Sequence, residues 1–303
     1  MLNELSYNVG VFSVFKNHDQ IKETVKLLRD EDGNLRSKKE FVKEARKLSD
    51  LYNKRYLSTE YDQAISAARM AKKWQDIERT KDLYPNLVYV AVMDDRTREL
   101  HKNWHGITLP VEHSFWKTHY PPNDWGCRCT VRRTDKPVDD KGVDVDTIPN
   151  LPKQFNINVG QTGKVFNQDH PYFNIPEYRT VADMALRALL RYQTTTYYKT
   201  IKNTFKRPLN SEIGKVTVNN KALKEALSQP HKNGYLKNNL LLKLKDVLKD
   251  AYYIGSANPK KAFDYYVKYH YMRVADFEDM ILVLREDPKG GIFFYSIVDK
   301  VKL

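Results

Sequence analysis

Cysteine is nearly missing from this chain: 303 residues hold two, Cys127 and Cys129, one residue apart. A pair at i and i+2 cannot form the multi-bridge framework of a small secreted scaffold, and a bridge between near neighbours on one strand is strained. The scarcity points to a reducing compartment. No apolar stretch approaches the ~20 residues that a membrane-spanning helix requires. The opening MLNELSYNVGVFSVFKNHDQ has no basic region followed by an unbroken apolar run, so it does not read as a secretory leader. Internal repeats, low-complexity tracts, a P-loop, a Rossmann glycine pattern and metal-nuclease motifs are all lacking. Disulfide scaffolds, membrane spans and nucleotide-binding folds are thereby set aside.

What is present in excess is positive charge. The formal net charge is +13, with a sequence pI near 9.4. Residues 206–303 hold 18 Lys and Arg against 11 Asp and Glu, leaving only +6 for the first 205 residues. A basic balance favours a polyanionic partner, meaning nucleic acid or a negatively charged surface.

Periodicity predicts an α+β chain. Residues 17–81 read as helical, with Asn17 capping a first helix whose face is Ile21, Val25 and Leu28. A second helix opens at the capping box Ser37-x-x-Glu40. Ala64, Ala67, Ala68, Ala71 and Trp74 then form a small-residue stripe suited to close packing. LVYVAVMDD reads as a buried strand, RTRELHKNWHG as a short helix stopped at Gly106, and CRCTVRRTD as a strand. Residues 134–163 read as irregular and exposed. Residues 180–205 read as a linking helix. Near 210 a second unit begins: two helices, then antiparallel strands with a Gly290-Gly291 hairpin turn. The expected architecture is an N-terminal helical region packed on a small mixed domain, plus a C-terminal α+β domain.

The stretch HYPPNDWGCRCTVRR carries the first chemistry. Thiolates with imidazole suit tetrahedral zinc, and His101 and His105 at i, i+4 share one helical face. Against this stands the C-x-C spacing, since i and i+2 on a strand lie almost ~7 Å apart, while zinc ribbons use C-x2-C. Two readings remain for Cys127 and Cys129: small buried hydrophobes, or structural zinc ligands together with His101. Either way the stretch reads as a fold staple. Asp94, Arg96 and Arg98 read as a buried salt-bridge network holding loop 106–126, and His170 as structural.

The order AVMDDRTRELH…HGITLPVEHSFWKTHYPPNDWGCRCTV resembles the signature of phage Mu protein F-like minor head proteins, also called head morphogenesis proteins. The matching residues are Asp94, Arg96, Thr97, Arg98, His101, Gly106, Pro110, Phe115-Trp116, Pro121-Pro122, Trp125 and Cys127-Arg128-Cys129. The likeness covers about residues 1–175, followed by a helical linker, 176–209. It implies a minor structural component of a tailed-phage head, with portal or capsid proteins as partners, found in the virion and, during assembly, in host cytoplasm. Residues 210–303 resemble the barnase–EndoU–colicin–RelE-like nuclease group of phage polyvalent proteins, through their architecture and QPHKNGYLK, KYHYMRV and FFYSIVD. That likeness implies a toxin-like RNase with RNA as substrate. Metal-independent RNA cleavage needs a base, an acid and cations. His231, Lys237, His270, Arg273, Tyr295 and Ser296 are the expected set, with the two histidines as acid and base. The competing expectation is a structural tail that only binds nucleic acid or scaffolding. An effector requires convergence of His231, His270 and a cation on one cleft.

Overall fold

The computed structural model describes residues 1–144, 151–259 and 264–301. Parts of the expected irregular segment (145–150) and of an expected strand (260–263) lie outside the described residues. The chain divides into two compact units, residues 1–185 and 186–303.

The first unit begins with α1 (Leu2–Lys26), α2 (Lys38–Asp50) and α3 (Leu57–Thr80), the last two joined by a π-helical turn, Leu51–Tyr56. Ser37 and Glu40 form the expected capping box: the Ser37 hydroxyl accepts from Glu40 N, and Ser37 N donates to Glu40 Oε2 at 3.1 Å. Asn17 does not cap a helix. It sits inside α1, because Leu5, Phe12 and Phe15 give the preceding residues a buried helical face of their own. The face expected to be buried, Ile21, Val25 and Leu28, is exposed instead.

A three-stranded antiparallel sheet follows, ordered β2-β1-β3, from β1 (Asn86–Val90), β2 (Thr108–Pro110) and β3 (Thr130–Thr134). The short helices α4 (Glu99–Asn103) and α5 (Phe115–Thr118) lie between its strands in sequence. Gly106 ends the α4 segment at φ 88, a conformation that favours glycine. The Pro121–Pro122 peptide is cis.

The segment 134–163 is irregular and exposed as expected over 135–142, and departs from expectation after residue 150. Leu151, Phe155, Asn158 and Val159 are buried. Asn158 caps α6 (Val159–Thr162) by accepting from Gly160 N and Gln161 N, and its Nδ2 donates to Trp116 O at 2.9 Å. Apolar residues spaced between the turn formers let residues 151–163 pack onto the core rather than leave it. Gly160 lies so close to α3 that an added Cβ would stand 2.1 Å from Trp74 Cβ. The alanine and tryptophan stripe of α3 therefore packs as expected, with Ala67, Ala71 and Trp74 buried.

In the second unit, α7 (Tyr178–Ile201), which crosses the division, contributes Ile201 to the core. A hairpin of β4 (Leu209–Ser211) and β5 (Gly214–Thr217) comes next. Then come α8 (Asn220–Ser228), α9 (Gly234–Leu242) and α10 (Leu244–Asp250). The sheet is completed by β6 (Tyr252–Ala257), β7 (Lys268–Arg273), β8 (Ile281–Glu286) and β9 (Ile292–Val298). Its order is β4-β5-β9-β8-β7-β6, and β5 pairs with β9 in parallel. The α+β class holds, but the sheet is mixed rather than purely antiparallel. The second of the two expected helices is broken at Lys243, giving three. Asp287 closes the β8–β9 turn: its Oδ1 accepts from Lys289 N at 3.0 Å and from Gly291 N at 2.7 Å.

His170 is buried in the first unit, edge-on to Phe12 at 4.9 Å, and its Nδ1 accepts from Tyr172 N at 3.2 Å. Burial pushes this imidazole down from 6.5 to about 4. The unfolded chain then takes up the proton first, so the contribution to stability is intact above pH 6.5 and is lost as pH falls toward 4. Up to about 3 kcal/mol is involved. His170→Asn keeps an acceptor for Tyr172 N and should flatten the fall in melting temperature across that window; an unchanged slope contradicts the assignment.

Candidate functional site

His101 sits on the inner side of α4, 2 % exposed, with the Trp104 ring stacked at 5.3 Å. Cys127 and Cys129 do not lie on β3, as the sequence suggested, but in the turn before it. Cys127 N donates to Asp124 O at 3.1 Å, and Gly126 adopts φ 66. The two sulfurs are closer than the ~7 Å that an extended strand would impose. The ligand atoms of His101, Cys127 and Cys129 all lie within 4.8 Å of one another, and all three residues are buried. His101 Nδ1 is 3.9 Å from Cys127 Sγ and 3.7 Å from Cys129 Sγ. Zinc–sulfur and zinc–nitrogen bonds of ~2.3 and ~2.0 Å at tetrahedral angles place S and N about 3.5 Å apart. The two sulfur–nitrogen separations thus lie within a few tenths of an ångström of those around zinc. His105, the other histidine of the expected pair, faces elsewhere: its Nδ1 accepts from Ala91 N at 3.2 Å.

The two thiols share their charge unequally. A hydrogen bond with Cys129, then one with His101, pulls the Cys127 thiol well below the usual range against burial. The Cys129 thiol is pushed up by its bond to Cys127 and by burial. One of the two thiols thus gives up its proton far more readily than the other.

The expected salt-bridge network exists but is half-exposed rather than buried. Arg128 grips Asp94 with both arms, at 2.7 and 2.5 Å, and donates to Thr97 Oγ1 at 3.1 Å. That grip, chiefly the Arg128 hydrogen bond, holds the Asp94 carboxyl far below the ordinary carboxylate range. Arg98 Nε pairs with Asp124 Oδ2 at 2.7 Å and its Nη2 donates to Trp125 O at 3.1 Å, clamping the turn before the cysteines. Arg96 remains 81 % exposed at its side chain.

The six C-terminal residues meet six different surroundings. His231 Nδ1 accepts from Asn233 N at 2.9 Å, and its Nε2 lies 3.2 Å from Asp279 O. His270 Nε2 lies 2.8 Å from Glu286 Oε2. Arg273 donates to Glu278 O. Strand alternation puts His270 and Arg273 on opposite faces of β7. The Tyr295 ring carries the Arg285 guanidinium, and Ser296 is fully buried with its Oγ 3.4 Å from Ile297 O. Lys237 is 1 % exposed and donates to Ala226 O and Gln229 O, the unpaired carbonyls at the end of α8. Burial pushes its amine down to about 8. Among the described residues no hydrogen bond or ring contact joins any two of the six. Glu286 escaped sequence reasoning; its place two residues from Leu284, which pairs with His270, was the available signal.

Known proteins resemble the chain in pieces. Residues 33–132 match the Phage Mu protein F like protein family. The Mu F-like region therefore contains α4, the cysteine turn and most of β3. The chain is 45 % identical over 83 residues to the putative capsid assembly protein F of Escherichia phage Mu, covering 27 % of this chain and 19 % of that protein. It is 46 % identical over 68 residues to the Mu-like prophage FluMu F protein of Haemophilus influenzae, covering 22 % and 16 %. The chain thus spans under a fifth of the length of these relatives. Residues 187–295 match Large polyvalent protein-associated domain 3, where a nuclease likeness was expected. No solved structure matches.

Lys237→Met should destabilise the second unit by roughly 2–4 kcal/mol, since two carbonyls lose a charged donor in a buried place. The check is denaturant unfolding; a variant as stable as the parent would show that Lys237 is not structural.

Proposed function

We propose that this chain is a component of a tailed-phage head, acting in capsid assembly beside portal or capsid proteins, with a zinc-stapled loop in its Mu F-like region. The observation that carries the reading is the match over residues 33–132 to a family whose phage Mu member is a putative capsid assembly protein. The residues that would hold zinc, His101, Cys127 and Cys129, fall within it. Zinc there has no step to perform. It fixes the turn that Arg98 and Asp124 clamp, so that the loop presents one shape to its neighbours in the head. No helix of the described residues is long and apolar enough to cross a membrane.

Two measurements test the proposal. Elemental analysis should give about one zinc per chain, and chelation should lower the melting temperature; a metal-free chain with unchanged melting removes the zinc. Co-expression with the portal and major capsid proteins of the same genome should place the chain in isolated proheads. Its absence from them would overturn the assembly role.

A second reading makes the C-terminal unit a metal-independent endoribonuclease that reaches host RNA with the ejected genome. One observation favours it: the 2.8 Å pairing of His270 with Glu286, which would orient an imidazole as general base. The expected outcome is cleavage of total RNA by the whole chain in EDTA, with His270→Ala and His231→Ala each slower by roughly 10²–10⁴-fold. A wild-type chain that binds RNA without cutting it removes this reading and leaves the first standing.

A further inference from the structure

The basic excess was expected in the tail, yet a close group of cations without acidic partners lies in the first unit. α3 carries Arg69, Lys72, Lys73 and Asp76 at i, i+3, i+4 and i+7, so all four project from one face. β3 runs alongside and adds Arg132 and Arg133. Between them lies a groove of about 460 Å³ lined by these residues. It continues into a second hollow of about 820 Å³ that shares Arg69, Lys73 and Thr130 and reaches the cysteine turn.

The charges in this groove are uncompensated. Asp76, the acid on its wall, is paired with Arg79. Asp62, the acid of the second hollow, lies about two turns from Arg69 along α3. Arg69, Lys72 and Arg132 are exposed and have no acidic partner among the described residues. Lys73 and Arg133 are held by neutral groups: Lys73 donates to Thr130 Oγ1 at 2.7 Å and Val131 O at 2.9 Å. Arg133 donates to Thr80 Oγ1 at 2.7 Å and Asp76 O at 3.2 Å. These contacts aim both cations without discharging them. Burial, and then the nearby Arg133 charge, depress the Lys73 amine, as expected where positive charges crowd without counter-charge. Like charges so placed repel, and the fold tolerates the cost only where an anion offsets it.

We propose that the groove between α3 and β3 binds the phosphate backbone of nucleic acid. Two walls bearing arginine and lysine match a chain of regularly spaced phosphates, and the arginine fork meets a phosphate with two hydrogen bonds. A protein partner would instead call for a central apolar anchor site. Ile77 and Val131 are buried in the groove's floor and offer little such surface. Contact through phosphates carries no base sequence, so the groove binds all sequences alike. The inference is independent of the zinc and of either reading of the tail.

The test compares the whole chain with an Arg69→Gln/Lys72→Gln/Arg132→Gln variant. Binding of a fluorescent duplex DNA, a single-stranded DNA and an RNA is followed through a salt titration. All three side chains are exposed, so folding should survive. For the duplex the slope of log affinity against log salt should shrink by about 3, and for single strands by about 2. The form that the wild-type chain binds most tightly at near-physiological salt identifies the natural one. A control variant neutralises Lys224, Lys245 and Lys249, exposed lysines of the second unit, and should change the slope by less. Equal losses in both variants would mean diffuse charge, not a groove. An unchanged slope in the groove variant overturns the proposal, as does labelled polyglutamate that binds the wild type more tightly than any nucleic acid.

Discussion

The seating of α3 against the rest of the first unit is the contact on which that unit depends. Trp74 meets Gly160 with no room for a side chain between them, and Tyr120 stands edge-on to Trp74 at 4.9 Å. The Tyr120 hydroxyl donates to Met70 O at 2.9 Å, tying the loop after α5 to the same helix. Lys73 reaches β3 one turn further on. A single helix thus holds the segment after residue 150, the proline loop and the strand that follows the cysteines. The outer side of the same helix supplies one wall of the basic groove. Core and surface are coupled: a shift of α3 large enough to loosen Trp74 would also change the spacing between Arg69 and Arg132.

The second unit is organised by its sheet. Leu282, Leu284, Phe294 and Ile297 are buried against the helices, while Arg285, on the alternate face of β8, stacks with Tyr266, Tyr269 and Tyr295. Lys237 works on the helical side, where its charge serves two carbonyls. Most of the titratable groups that looked catalytic in one dimension are therefore committed to partners. The pair His270 and Glu286 is the exception, because neither is consumed by a helix end or a turn.

Local signals in the sequence were legible and long-range ones were not. The Ser37–Glu40 capping box, the Gly106 stop and the Gly290–Gly291 turn are decided within a few residues, and each stands where periodicity and turn chemistry put it. Asn17 misled because a polar residue in a helix interior has the same letter as a cap; only the burial of Phe12 and Phe15 distinguishes the two. The β4–β5 hairpin has strands too short to alternate visibly, and its parallel pairing with β9 joins residues more than seventy positions apart. The cysteine turn shows the limit most clearly. His101, Cys127 and Cys129 were named from their chemistry alone, but the spacing argument against them assumed a strand. β3 begins only at Thr130, and the short sulfur spacing just before it appears in no periodicity.

The metal site and the groove lie side by side, which raises the question whether one creates the other's field. Two thiolates balance the charge of a zinc ion, and His101 as a neutral ligand adds nothing. Without metal, the depressed Cys127 thiol leaves one negative charge in the site, beside a Cys129 thiol that keeps its proton. The positive potential along α3 and β3 therefore comes from Arg69, Lys72, Lys73, Arg132 and Arg133, whether or not zinc is bound. What zinc would alter is geometry: it would fix the stretch leading into Thr130, whose hydroxyl receives Lys73. A zinc staple would thus be linked to the groove mechanically, through the start of β3, and electrostatically only through the single charge that Cys127 carries without metal.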